Sequence, residues 1–178
     1  LQTNITAEAT IRENADNIIH EELNLLAKKY KTPEDYGAIG DGIADDTLAV
    51  QTCINENDIV FLPKNYKCTT LTVGKGKSLY GGQNEHSGIM LTSDSIYLNA
   101  LTCVTNLRVH DSPLVPAFKV IGGFVKMCNI EIINCAQALF VHNKTERVAA
   151  LMVVNLHAEN FTAAGVYLKN VNDIQLTN

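Results

Sequence analysis

Asn129-Ile130-Glu131-Ile132-Ile133-Asn134 reads as a short strand with a polar residue at each end and alternating apolar residues between. Three other fragments align with it without gaps: NLRVHD (106–111), NLHAEN (155–160) and DIQLTN (173–178). Each begins and ends with Asn or Asp, and the last fragment follows its predecessor at a shorter spacing than the others do. Alternation of this kind predicts β-strands with one buried face.

A second set of fragments recurs out of phase with the first. Each member has four positions: a small residue, an apolar residue, a residue of any type and a second apolar residue. The members are GIML (88–91), AFKV (117–120), ALFV (138–141) and GVYL (165–168). A third strand in each repeat is predicted for FVKM (124–127) and VAAL (148–151). Interleaved sets that recur at similar spacings along the chain indicate one unit stacked on itself, which is a solenoid.

In this solenoid, equivalent strands of successive turns pair in parallel about 4.8 Å apart. Two interior ladders are expected: Leu107, Ile130, Leu156 and Ile174, and then Val109, Ile132, Ala158 and Leu176. Each large buried aliphatic side chain contributes roughly 1.5–3 kcal/mol. The Asn and Asp residues are expected at the turns, because their side chains bond to nearby peptide groups. The steadier Leu pattern of a leucine-rich repeat is absent.

Composition narrows the classes of function. The net charge is −5 with no basic run, which argues against nucleic acid as a partner. No apolar run is long enough for a membrane span, so none is expected. The five cysteines lack metal-ligand spacing, and neither a metal nor a cofactor is predicted. The repeats run to the last residue, so we expect further turns after Asn178.

Residues 1–30 predict an N-terminal α-helix. Apolar residues recur at every seventh position at Ile11, Ile18 and Leu25, the spacing of a helix that packs on another helix. A full coiled coil also needs apolar residues three positions before each of these, but those positions are Glu8, Ala15 and Glu22. Ile19, Leu23 and Leu26 widen the apolar face, which also suits a single amphipathic helix lying on its own domain. Residues 6–15 resemble the short trimeric coiled-coil segments of phage tail fibres, which favours a homotrimer.

Residues 31–73 form a separate module before the solenoid turns of residues 74–178. It reads Asp35-Tyr36-Gly37-Ala38-x-Gly40-Asp41-Gly42-x-x-Asp45-Asp46-Thr47-x-Ala49-Val50-Gln51, followed by Val60-x-Leu62-Pro63. This stretch resembles the opening module of the pectate-lyase-like superfamily, which phage tailspikes and tail depolymerases often carry. It departs at Lys64-Asn65, where that superfamily usually has a small residue and Gly. The resemblance implies an all-β, right-handed parallel β-helix, here with a short capping helix near Thr47.

The acidic residues of this module suggest a structural role. Asp41, Asp45 and Asp46 lack the alternating ligands of a calcium loop. We therefore expect them to form turns and to cap the short helix, whose first N–H groups lack partners. No metal site is predicted here.

The middle positions of the aligned strands point outward and predict a surface column of Arg108, Glu131, His157 and Gln175. Beside it run His110, Ile133, Glu159 and Thr177. A neighbouring cation favours the ionised form of Glu131, which suits a base. The carboxyls of Glu131 and Glu159 are expected within the glycosidase range of about 5–9.5 Å. A solvated charge ladder with weak ion pairs is the alternative interpretation.

These residues give the functional hypotheses. The catalytic candidates are Glu131, Glu159 and His157, and the substrate-binding candidates are Arg108, Gln175 and His110. The resemblance implies a phage tailspike or tail-fibre fragment, made in the host cytoplasm and carried in the virion with other tail proteins. It would act as a homotrimer that attaches to a bacterial surface polysaccharide. The alternatives are a polysaccharide depolymerase, either lyase or glycoside hydrolase, and a connector whose binding site lies downstream of Asn178.

Overall fold

The chain divides into two units, Leu1–Lys31 and Thr32–Asn178. The structure, a computed structural model, describes residues 8, 12, 14–19, 30–82, 87–142, 150–163, 165–169 and 174–177. In the first unit, every described residue from 8 to 19 is helical. Arg12 and Glu8 lie one helical turn apart and form an ion pair of 2.6 Å. The helix is thus confirmed at these positions, whereas Ile11 and Leu25 of the heptad spacing lie outside the described residues.

The second unit is a parallel β-solenoid of about five turns. It opens with a 3-10 helix at Pro33–Tyr36, and its α-helix spans Thr47–Glu56. Every strand pair in the described residues is parallel. The strands are β1 (Asp41–Asp45), β2 (Ile59–Leu62), β3 (Asn65–Cys68), β4 (Leu71–Val73), β5 (Ser78–Gly81), β6 (Gly88–Leu91), β7 (Ile96–Leu98), β8 (Cys103–Thr105), β9 (Arg108–Val120), β10 (Val125–His142), β11 (Leu151–Glu159), β12 (Val166–Lys169) and β13 (Ile174–Thr177).

Stacking of equivalent strands produces three sheets, and the long strands β9, β10 and β11 contribute to more than one of them. The first sheet contains β2, β5, β8, residues 125–128, residues 151–154 and β13. The second sheet contains β1, β3, β6, residues 108–112, residues 130–135 and residues 156–159. The third sheet contains β4, β7, residues 118–120, residues 139–142 and β12.

The core fills the space between the sheets with ladders of aliphatic side chains. Ile130 lies opposite Leu156, and Ile132 lies opposite both Val109 and Ala158. The amide of Glu131 donates to the carbonyl of Leu107, which places Ile130 above Leu107. These interior ladders are confirmed through their first three members. Alternation buries one side of each strand and turns the other outward.

Asn and Asp residues mark the corners on either side of the second sheet, as predicted. The residues that begin and end the first three aligned fragments all have φ between 50° and 58°: Asn106, Asp111, Asn129, Asn134, Asn155 and Asn160. Asn and Asp tolerate this left-handed conformation better than other non-glycine residues. Their side chains also join successive turns, because Asn129 Nδ2 donates to Asn106 Oδ1 at 2.9 Å and Asn155 Nδ2 donates to Asn129 Oδ1 at 2.9 Å.

The opening module uses its acidic residues for structure. Asp46 is buried, and its carboxylate accepts the amide N–H groups of Ile39 at 2.8 Å and Gly40 at 3.0 Å. The Thr47 amide donates to Asp45 instead, so Asp45 rather than Asp46 satisfies the start of the Thr47–Glu56 helix. That helix buries one face, through which Val50, Cys53 and Ile54 join the core.

Two of the predicted alignments are wrong. Strand β13 pairs with residues 151–154 in the first sheet, so Ile174 and Leu176 lie opposite Leu151 and Val153 rather than continuing the predicted ladders. Strand β6 belongs to the second sheet, where Ile89 lies opposite Val109. The position predicted for β6 in the third sheet is occupied by β7. Short alternating strands look alike in sequence, so local pattern alone assigned both to the wrong sheet.

The third predicted strand of each repeat exists, but it begins later than the predicted fragments do. Strand β10 begins at Val125 and β11 begins at Leu151, and these two residues lie opposite each other. Val148 and Ala149 lie outside the described residues. None of the helices in the described ranges is long and apolar enough to cross a membrane.

Candidate functional site

The outer face of the second sheet brings three of the predicted site residues onto successive turns. Glu131 lies opposite Arg108 on one side and His157 on the other. Arg108 Nε is 3.2 Å from Glu131 Oε2, and the two side chains are 26% and 43% exposed. The predicted column of Arg108, Glu131 and His157 is therefore present. Its central carboxylate is within reach of solvent and of a ligand.

A second column runs beside the first on the same face. Ile133 lies opposite His110 and Glu159, as the sequence alignment predicted. His157 Nε2 is 3.8 Å from Glu159 Oε2, and both side chains are at least half-exposed. The two columns thus place two carboxylates and two imidazoles on one surface, with an apolar Ile133 between His110 and Glu159.

Gln175 does not belong to this surface. It lies opposite Met152 in the first sheet, and Thr177 lies opposite Val154. The predicted substrate-binding set is therefore reduced on this face to Arg108 and His110. The prediction failed because the fragment at 173–178 matches the column in its alternation but pairs with a different strand.

His110 forms contacts that the sequence did not predict. Its Nδ1 atom is 2.9 Å from Asp111 Oδ2, and its Nε2 atom is 2.9 Å from Asn65 Oδ1. Its side chain is only 12% exposed, so the imidazole is held in place on both sides. A protonated His110 ring donates through both nitrogens to these oxygens. A neutral ring donates through only one nitrogen, and the other nitrogen is then satisfied only if the Asn65 amide group donates to it.

Gly88 makes the contact between His110 and Asn65 possible. Residue 88 lies opposite Asn65 in β3, in the strand between β3 and β9. A Cβ at this position would lie 2.9 Å from the carbonyl oxygen of Arg108 and 3.0 Å from Cδ2 of His110. Any side chain here would therefore compete with the His110 ring. A glycine inside a strand is the sequence signal for such a close approach.

Asp111 continues this network toward the next turn. Asn134 Nδ2 donates to Asp111 Oδ1 at 2.8 Å. This hydrogen bond, followed by the one from His110, lowers the pKa of Asp111 below its ordinary value of 3.8. The carboxylate is therefore ionised under ordinary conditions and orients the imidazole beside it.

The lowered pKa of Asp111 makes a pH-dependent contribution to stability. Because the pKa of Asp111 is lower in the folded protein than the value near 3.8 in the unfolded chain, the ionised carboxylate stabilises the fold at any pH above 3.8. This stabilisation is lost as the pH falls through the pKa of the folded state. We expect Asp111→Asn to lower the unfolding free energy at pH 7 by no more than about 1 kcal/mol, because the carboxylate is half-exposed. The difference from wild type should shrink below pH 4 or so in chemical denaturation. A constant difference between pH 7 and the acid limit would contradict the assignment.

The site offers hydrogen-bond donors, acceptors and a potential base. No group of three or more His, Cys, Asp and Glu side chains in the described ranges is arranged to hold a metal ion. Glu131, paired with Arg108, offers carboxylate oxygens as acceptors for hydroxyl groups. The chain matches no protein family, and neither curated proteins nor solved structures include a significant match to it.

Proposed function

We propose that the outer face of the second sheet binds a polysaccharide chain that runs along the solenoid. The observation that carries this proposal is the column Arg108, Glu131 and His157 on three successive turns, with His110 and Glu159 beside it. Turns about 4.8 Å apart place a polar or charged side chain at each step along this face, which suits a polymer that carries hydroxyl groups at regular intervals. The net charge of −5 disfavours nucleic acid as the polymer.

The finer assignment rests on resemblance. Residues 35–63 resemble the opening module of pectate-lyase-like tail proteins, and residues 6–15 resemble trimeric segments of tail fibres. We propose accordingly a right-handed, pectin-lyase-like solenoid in a homotrimeric phage tailspike or tail fibre that attaches the virion to a bacterial surface polysaccharide. The solution mass from light scattering tests the trimer, and a monomeric mass contradicts it. Three copies would strengthen weak sugar contacts through avidity.

A glycan-binding experiment tests the proposed surface. The full chain is measured against a panel of immobilised bacterial capsular polysaccharides and O-antigens, together with the double variant Glu131→Ala, His157→Ala. We expect wild type to bind at least one polysaccharide and the double variant to bind it about tenfold more weakly or worse. Hydrogen bonds to charged groups contribute roughly 1.5–3 kcal/mol each, and about 1.4 kcal/mol is a factor of ten in affinity.

Lys126→Ala is the matched control for this experiment. Lys126 is an exposed charged residue on the outer face of the first sheet, where it lies opposite Met152. Its removal should leave binding unchanged, and circular dichroism should show that all variants fold. Equal affinity in wild type and the double variant would reject this face as the binding surface.

A polysaccharide depolymerase is the second candidate. The observation in its favour is that Glu131 and Glu159 share the same outer face, in adjacent columns and on adjacent turns. Incubation with the polysaccharide that the chain binds distinguishes the reactions, since a hydrolase creates reducing ends and a lyase creates an unsaturated, ultraviolet-absorbing end. Binding without either product favours an adhesin. Absence of binding across the panel favours the structural connector.

A further inference from the structure

The third sheet carries an outward column that is richer in aromatic residues than the proposed binding face. Lys119 lies opposite Tyr97 on one turn and Phe140 on the next, and Phe140 lies opposite Tyr167. Four successive turns therefore present Tyr97, Lys119, Phe140 and Tyr167 at the same outward position. We call these four residues, together with Asp94, the aromatic column.

The polar end of the aromatic column is a compact hydrogen-bonded group. Lys119 Nζ donates to Asp94 Oδ1 at 2.5 Å, and the Tyr97 hydroxyl donates to Asp94 Oδ2 at 2.6 Å. Lys119 Nζ also lies 5.1 Å from the centre of the Tyr97 ring. The Lys119 and Asp94 side chains are 24% and 37% exposed, so both charges are held in place while remaining open to a ligand.

The charges of this group cancel. Burial disfavours the charged form of Asp94, but hydrogen bonds from Lys119 and Tyr97 outweigh it and lower the pKa of Asp94 to about 2. Burial likewise opposes protonation of Lys119, yet its contacts with Asp94 and Tyr97 raise its pKa overall. At neutral pH the pair is a carboxylate and an ammonium with no net charge. It therefore offers an acceptor and a donor to neutral groups rather than attracting an ion.

The other end of the aromatic column presents ring surface. The Phe140 and Tyr167 rings are nearly parallel, at 10°, with centroids 4.9 Å apart. Carbon atoms in contact lie about 3.5–4.0 Å apart, so rings whose centres are 4.9 Å apart are slipped sideways. A slipped stack leaves part of each ring face uncovered. Tyr167 is 39% exposed in β12, a strand whose four residues are all exposed, and Phe140 on the preceding turn is partly buried.

These rings stand at outward positions, where the stacking of Phe140 on Tyr167 across neighbouring strands accounts for part of their stability. Other aromatic residues of the solenoid, such as Tyr66 and Phe118, are fully buried in the core. The outward positions of a solvated sheet ordinarily carry polar side chains, because exposed rings gain little from burial. A partially exposed ion pair also contributes little stability. Rings and a neutral donor–acceptor pair together suit a ligand that has both apolar faces and hydroxyl groups.

We propose that the aromatic column is a second glycan-contact face, on which a neutral pyranose unit stacks against Tyr167 and Phe140 while a neighbouring unit bonds to Asp94 and Lys119. This inference rests on the proposed binding of a polysaccharide by the chain. A pyranose has apolar C–H faces and a rim of hydroxyls, which matches both ends of the column. A nucleic acid is disfavoured by the net charge of −5, and within the column Lys119 is already neutralised by Asp94.

The test uses Tyr167, whose exposure makes its replacement compatible with folding. The probe is the polysaccharide that wild type binds most tightly on the panel, measured against the full chain carrying Tyr167→Ala, Tyr167→Phe or the control Lys126→Ala. We expect Tyr167→Ala to weaken binding about tenfold, which corresponds to about 1.4 kcal/mol, because the sugar loses the ring against which it stacks. Tyr167→Phe keeps the ring and should bind as wild type, and Lys126→Ala should do the same.

The outcomes separate this inference from the proposed function. If wild type binds and Tyr167→Ala binds equally well, the aromatic column is not a contact face, while the second-sheet proposal stands. If Tyr167→Phe also loses binding, ring stacking is not the interaction and the inference fails. If wild type binds no polysaccharide, both proposals fail. If Tyr167→Ala loses polysaccharide binding while the double variant Glu131→Ala, His157→Ala binds as wild type, the aromatic column is the contact face and the proposal for the second sheet is wrong.

Discussion

Replacement of Gly81 by alanine is expected to lower the unfolding free energy of the solenoid by about 3 kcal/mol. Gly81 ends β5, and a Cβ built on it would lie 2.1 Å from the carbonyl oxygen of Asn106 and 2.8 Å from Cα of Leu107. Both atoms belong to the backbone of a neighbouring segment, which cannot rotate away as a side chain can. Space for a methyl group therefore requires two segments of the solenoid to move apart.

Gly74→Ala is the matched control. A Cβ at Gly74 meets only the flexible side chain of Lys77, at 3.4 Å, and the residue has no left-handed φ. Alanine should therefore be neutral there, or stabilising by about 0.4–1 kcal/mol because it restricts the unfolded chain. Urea denaturation followed by circular dichroism measures both variants. Equal stability of the two would mean that the solenoid backbone is not packed so closely at Gly81.

The sequence predicted the solenoid and many of its contacts, because stacking repeats a local pattern at each turn. The Asn and Asp residues that bound each fragment were expected at turns, and six of them adopt left-handed φ there. The interior neighbours of Ile130 and Ile132 followed from the same alignment. Gly81 was not singled out, since its neighbour Asn106 is distant in sequence and the contact depends on where the intervening turn closes.

The error at Gln175 shows what alternation cannot decide. Every strand of a solenoid alternates apolar and polar residues, so a fragment can be aligned with any of the three sheets. The fragment that begins at Asp173 follows Asn155 more closely than Asn155 follows Asn129 or Asn129 follows Asn106. Observed pairing places Ile174 opposite Leu151, at a spacing that matches the earlier turns. The short offset was the signal that this fragment belongs to another sheet.

The sequence predicted only part of the candidate site. Arg108, Glu131 and His157 follow one another by strand pairing, so alignment of the fragments was enough to place them together. The contact of His110 with Asn65 was missed because the two residues are far apart in sequence and meet across Gly88. The aromatic column was missed because Lys119, Phe140 and Tyr167 occupy the position that the second set of fragments leaves open to any residue, and Tyr97 lies in β7, which that set did not include.

Asp46→Ala should lower the unfolding free energy by about 3 kcal/mol. Its buried carboxylate accepts the N–H groups of Ile39 and Gly40, and hydrogen bonds to charged groups contribute roughly 1.5–3 kcal/mol each. Alanine leaves both donors without an acceptor in a part-buried loop.

Asp41→Ala separates the effect of burial from the number of hydrogen bonds. The Asp41 carboxylate also accepts two amide N–H groups, those of Ile43 and Ala44, but this part of β1 is exposed. Water replaces the lost acceptor there, so we expect a much smaller loss than for Asp46→Ala. Chemical denaturation at pH 7 compares the two variants. Both variants lose one carboxylate and two N–H contacts. If Asp46→Ala lowers the unfolding free energy no more than Asp41→Ala does, burial of Asp46 does not hold the opening module together.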